Sequence, residues 1–167
     1  MKRFPAIAIV LASIFLVGCR QLNDERIPSY AVNIDLSNPG VWTVYGVHTY
    51  GQYNQFIITR GLPAGFAYKY GSATGFGGVL LICGQSGFTG DVVPLAYDLS
   101  CPVECLPEVR VFVDPNELVA ICPDCGSVYN VTEGGGAPLS GPAVAMHYGL
   151  RPYQCFPTTT GGYVVSN

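Results

Sequence analysis

Four cysteines in two close pairs, Cys101/Cys105 and Cys122/Cys125, spaced C-x3-C-x16-C-x2-C, constrain this chain more than any other feature. Between the pairs lie an alternating stretch, Val109-Arg110-Val111-Phe112-Val113, a turn at Asp114-Pro115-Asn116, and a second apolar stretch at 118–121. Alternation with a period of two, broken by Asp-Pro-Asn, predicts a β-hairpin. The cysteine pairs flank that hairpin, so strand pairing can bring four thiols to one place. Four thiolates in a tetrahedron suit zinc and also suit iron–sulfur clusters, and the spacing does not choose between them.

The rest of the chain reads as short strands. Twenty-one glycines and thirteen prolines in 167 residues demand many turns. Extended segments are expected at 41–47, 56–59, 79–83, 92–97, 109–113, 118–121, 128–131, around 144–148 and at 163–165, about nine in all. Pro94 restricts its strand to an edge or a bulge. There is no sustained helical period and no internal repeat, so the expected architecture is all-β in one domain. Eight Lys and Arg against eleven Asp and Glu give a net charge of −3, which offers no electrostatic footprint for a nucleic-acid backbone.

At the N-terminus, Lys2 and Arg3 precede an apolar run at 6–17 that ends in Leu16-Val17-Gly18-Cys19. This is an export signal, too short to span a bilayer. Its last four residues resemble the lipobox of bacterial lipoproteins. That resemblance implies a signal peptide over 1–18, lipidation (palmitate among the acyl chains) at Cys19, and attachment to the membrane of the cell envelope. Arg20, in place of an aspartate that would retain the protein at the inner membrane, points to the outer one. Residues 19–30 are then lipidated cysteine and polar tether, and 31–167 the domain, with its cysteine-loop region at about 96–145. An even count of six further cysteines, including Cys83 and Cys155, is also what a disulfide framework in an exported chain would show, with pairing open.

Cys122-Pro123-Asp124-Cys125-Gly126-Ser127-Val128-Tyr129-Asn130, followed by Gly134 to Gly136 and Ser140-Gly141-Pro142-Ala143, resembles the second cluster loop and proline loop of Rieske iron–sulfur domains. Upstream, Ala96-Tyr97-Asp98-Leu99-Ser100-Cys101-Pro102 is similar to the preceding strand and first loop, and 150–153 with 163–165 to the last strands. The resemblance spans roughly 77–167 and implies a Rieske-like fold with a small cysteine-loop subdomain. It also implies a [2Fe-2S] cluster for one-electron transfer to a partner protein. In that family each loop gives one Cys and one His. Here the histidine positions hold Val103 and Cys125; Cys105 or Glu104 could substitute for the first, and the ligand set expected with the resemblance is Cys101, Cys105, Cys122 and Cys125. Ser127 and Tyr129 fall where hydroxyls would reach cluster sulfur, Gly126 would allow close backbone approach, and Pro142 would shield the cluster. Zinc, or no metal with the cysteines joined as disulfides, remain as alternatives, the domain then serving as an envelope binding or assembly module.

His48 and His147 are expected as satisfied strand histidines without ligand spacing to the cysteines. Eleven tyrosines, several within 45–70, suit either packing across the sheet or a contact surface. Gly75-Phe76-Gly77-Gly78 precedes a strand, not a helix, so it does not make a dinucleotide loop. These features describe an electron carrier or binding module rather than a stand-alone enzyme.

Overall fold

A computed structural model describes residues 21–87, 89–133 and 135–167. The expected signal peptide, Cys19 and Arg20 lie outside the described residues. Among these described residues eleven strands form, in chain order: β1 (Val32–Leu36), β2 (Tyr53–Phe56), β3 (Ala73–Thr74), β4 (Val79–Gln85), β5 (Val92–Asp98), β6 (Phe112–Asp114), β7 (Val119–Ile121), β8 (Val128–Asn130), β9 (Pro138–Ser140), β10 (Pro152–Pro157) and β11 (Tyr163–Ser166). Two short helices, α1 (Pro39–Tyr45) and α2 (Pro142–Met146), interrupt them. A seven-stranded sheet has the order β2-β4-β5-β10-β11-β1-β3 and a four-stranded sheet the order β6-β7-β8-β9, with every strand pair antiparallel. The architecture is all-β.

The continuous apolar run of β4 is explained by burial on both faces. Leu80 and Ile82 point into a core shared with Leu99, Cys101, Val111, Ala120, Cys122 and Tyr129 of the small sheet and its loops. Val79, Leu81 and Cys83 point into a second core with Ile34, Leu36, Trp42, Phe56 and Val165. Period-two alternation thus sorts one strand between two cores. β5 pairs with β4 along its whole length, whereas β10 joins it only at Tyr97 and Ala96. At Pro94 the strand is therefore an edge on that side, as the missing N–H requires.

The hairpin between the cysteine pairs forms as expected: Phe112, Val113 and Asp114 face Ile121, Ala120 and Val119, and the Asp114 carboxylate accepts the Asn116 N–H at 2.8 Å in the turn.

Two expected strands are helices instead. Residues 41–47 are β-branched and aromatic, but Asn38 accepts N–H bonds from Gly40 and Val41 and Pro39 opens the first turn, so α1 starts there and buries Trp42. Around 144–148, Pro142 likewise opens α2, and His147 closes it in the left-handed conformation at φ 56°. Neither histidine lies in a strand; His48 follows α1, with Nε2 3.3 Å from the Thr43 carbonyl. The expected segment at 56–59 is shifted, since β2 ends at Phe56 and a 3-10 turn follows at Ile58–Arg60. The polar stretch before the domain packs against it from Asn23, whose N–H bonds the His147 carbonyl at 2.8 Å, to the fully buried Ile27.

One buried carboxylate sets the approach to the first cysteine loop. Asp98, at the end of β5, is fully buried. It accepts N–H bonds from Phe76 at 3.0 Å, Gly77 at 3.1 Å and Ser100 at 2.7 Å, and the Tyr153 hydroxyl at 2.6 Å. The glycine-rich segment before β4 is thus a cradle for this carboxylate. A β-carbon on Gly77 would collide with the Ser100 hydroxyl and come within 2.7 Å of the Ser100 nitrogen. Replacing Asp98 with Asn sets an amide donor among these donors. Asp98→Asn is expected to lose about 2–4 kcal/mol of stability, read as a lowered urea midpoint with an unchanged slope.

Candidate metal centre

The first cysteine loop leaves β5 and is tied back to the segment that leads into the hairpin. Cys101 N–H bonds the Val109 carbonyl at 2.9 Å and Val111 N–H the Leu99 carbonyl at 2.8 Å. The second loop joins β7 to β8 and is closed on itself: Cys122 N–H reaches the Ser127 carbonyl at 2.9 Å, and Gly126 N–H the Cys122 carbonyl at 3.0 Å. Gly126 makes this turn at φ 68°, a conformation that disfavours any residue with a β-carbon. Backbone pairing, together with the Asp98 carboxylate that holds Ser100, fixes both loops at one end of the hairpin.

Three of the four expected ligands meet there. The Sγ atoms of Cys101, Cys122 and Cys125 all lie within 4.8 Å of one another, and Cys101 and Cys125 are 3.6 Å apart. Cys101 and Cys122 are buried in the core beneath the loops, and Cys125 is partly exposed. Cys105 does not join them. Its backbone turns into the left-handed region at φ 52°, and its Sγ lies 3.6 Å from the Arg26 carbonyl of the N-terminal segment. Val103 packs against the core and carries no ligand atom. All six cysteines among the described residues are free thiols, Cys83 and Cys155 included.

Hydroxyls surround the sulfur atoms. The buried Tyr129 hydroxyl is 3.4 Å from Cys101 Sγ. The buried Ser127 hydroxyl is 3.2 Å from Cys125 Sγ and accepts the Ala143 N–H at 3.1 Å. α2 is thereby docked onto the second loop through Ala143, while Pro142 itself is exposed. Sequence reasoning named Ser127 and Tyr129. It missed Ala143, whose contribution is a backbone N–H, and the role of Asp98, which a lone acidic residue ending an apolar run ahead of Cys101 could have signalled.

The thiols differ in acidity for physical reasons. Burial pushes Cys122 up to about 12, only partly offset by the backbone N–H groups of Cys125 and Asp124. Burial would also raise Cys125, but hydrogen bonds from the Ser127 side chain and backbone, and from Cys122 and Cys101, hold it below the usual thiol value. Burial raises the Tyr129 phenol far above its ordinary range, so it stays protonated. A thiolate is the nucleophile and the metal ligand, and of the two Cys125 is the more readily ionised.

No family model, curated protein or solved structure matches this chain.

In the metal-free protein at pH 8, iodoacetamide is expected to label Cys125 well before Cys122, because Cys125 is both more exposed and the more acidic thiol. Ser127→Ala should slow the Cys125 reaction by raising that thiol, as followed by peptide mass spectrometry. Equal labelling of the two would contradict this ordering.

Proposed function

We propose that this chain is a lipid-anchored, Rieske-like metal–thiolate protein of the bacterial cell envelope. In this reading the two cysteine loops hold a metal centre at one end of an all-β scaffold. The observation that carries it is the convergence of Cys101, Cys122 and Cys125, with sulfur atoms within 4.8 Å of one another. Three soft thiols gathered at the rim of an apolar core are suited to a thiophilic metal. The scaffold reading draws on the small sheet β6–β9, which carries the second loop between β7 and β8, and on the large sheet behind it. Anchoring rests on Leu16-Val17-Gly18-Cys19, and the outer membrane on Arg20.

The side chains as placed do not complete the set of four that a [2Fe-2S] cluster takes, because Val103 offers no donor and Cys105 is engaged with Arg26. A second reading, a one-electron carrier to an envelope partner with Cys105 as fourth ligand, is favoured by one observation. The hydroxyls of Tyr129 and Ser127 lie against sulfur atoms, where hydrogen bonds stabilise a more negative, reduced centre.

Metal analysis of the purified full chain, with visible absorption and electron paramagnetic resonance, tests both. One thiophilic ion per chain, lost in Cys125→Ser, is the expected result. At a thousandfold excess over Kd that ion should add about 4 kcal/mol of stability. Two irons per chain with a rhombic signal on reduction would favour the carrier. A metal-free chain with its loop cysteines joined as disulfides would overturn both.

A further inference from the structure

Resting on the metal–thiolate reading, we infer that the centre takes a single soft d10 ion, Cu(I), bound by Cys101, Cys122 and Cys125 alone, with Cys105 outside the ligand set. Two thiolates on one ion at about 2.3 Å stand roughly 3.8–4.0 Å apart, from tetrahedral to trigonal angles. Cys101 and Cys125 are separated by 3.6 Å, and the third sulfur lies within 4.8 Å of both. That spacing is close to what one ion requires. A two-iron cluster would instead spread its ligands in pairs about two metal atoms.

Coordination number together with ligand softness then favours the ion. Zinc in structural protein sites takes four ligands and an iron–sulfur cluster four cysteines, whereas three thiolates satisfy Cu(I). The fourth cysteine is occupied elsewhere. Cys105 Sγ lies against the Arg26 carbonyl, and the segment bearing Arg26 is fixed on both sides. Ile27 is fully buried and its carbonyl accepts Arg151 Nη1 at 2.8 Å, while the Arg26 guanidinium lies over the Tyr148 ring at 5.7 Å.

Three thiolates on a monovalent ion leave two negative charges, and the surroundings are built to receive them. The Tyr129 hydroxyl faces Cys101, the Ser127 hydroxyl faces Cys125, and the backbone N–H groups of Cys125 and Asp124 face Cys122. Burial of Cys101 and Cys122 keeps water and hard cations from two of the three sulfurs.

The test is anaerobic titration of the full chain with Cu(I) against bicinchoninic acid, followed by X-ray absorption at the copper edge. Expected are one Cu(I) per chain, a shell of three sulfurs, affinity within threefold of the parent in Cys105→Ser, and at least a hundredfold loss in Cys125→Ser. Cys125 is partly exposed, so its serine variant should fold, with circular dichroism as the control. If it does not, the sulfur count and Cys105→Ser decide. A four-sulfur shell, or a tenfold loss in Cys105→Ser, overturns the three-thiolate assignment and leaves the metal–thiolate reading standing. Failure to bind any thiophilic metal removes both.

Discussion

The Asp98 carboxylate is the interaction on which the cysteine-bearing end depends. A buried carboxylate is costly unless its lone pairs are taken, and here three backbone N–H groups and a phenol take them. Those four donors come from three parts of the chain: the glycine cradle before β4, the first residues of the cysteine loop, and β10. Satisfying one charge therefore fixes the relative placement of all three. Arg110 closes the arrangement by donating Nε–H to the Gly77 carbonyl, which ties the hairpin entrance to the same cradle.

From that anchor the path to the thiols is short. Ser100 is held by Asp98, and Cys101 is the next residue, locked to Val109 by its own N–H. The second loop needs no such anchor, because its own two backbone bonds and Gly126 define it. The site thus joins a loop positioned by a buried carboxylate at its root to a loop that is self-contained, and the hairpin β6–β7 sets the distance between them.

Much of this was legible in the sequence, for identifiable reasons. The hairpin followed from alternation and Asp-Pro-Asn, and the strand β4 from its apolar run at 79–83, though not its burial on both faces. Cys101, Cys122 and Cys125 followed from spacing. What failed was local competition between signals. Residues 41–47 have strand composition, yet the Asn38-Pro39 start decides for a helix, and Pro142 does the same for α2. β1, β3 and β9 are short and weakly patterned, so pairing, not propensity, makes them strands. Cys105 was misplaced because spacing gives chain distance only. Its direction is set by a positive φ and by a carbonyl 79 residues earlier, neither of which a motif encodes.

β4 carries a consequence of its own. Five of its seven residues divide their side chains between two cores, so this strand is a wall that both cores share. Loosening the helix-covered half around Trp42 would pull Val79, Leu81 and Cys83 out of register, and with them Leu80 and Ile82 under the cysteine loops. Two cores that share this strand are expected to melt together, which couples the thiol end to the far side of the sheet.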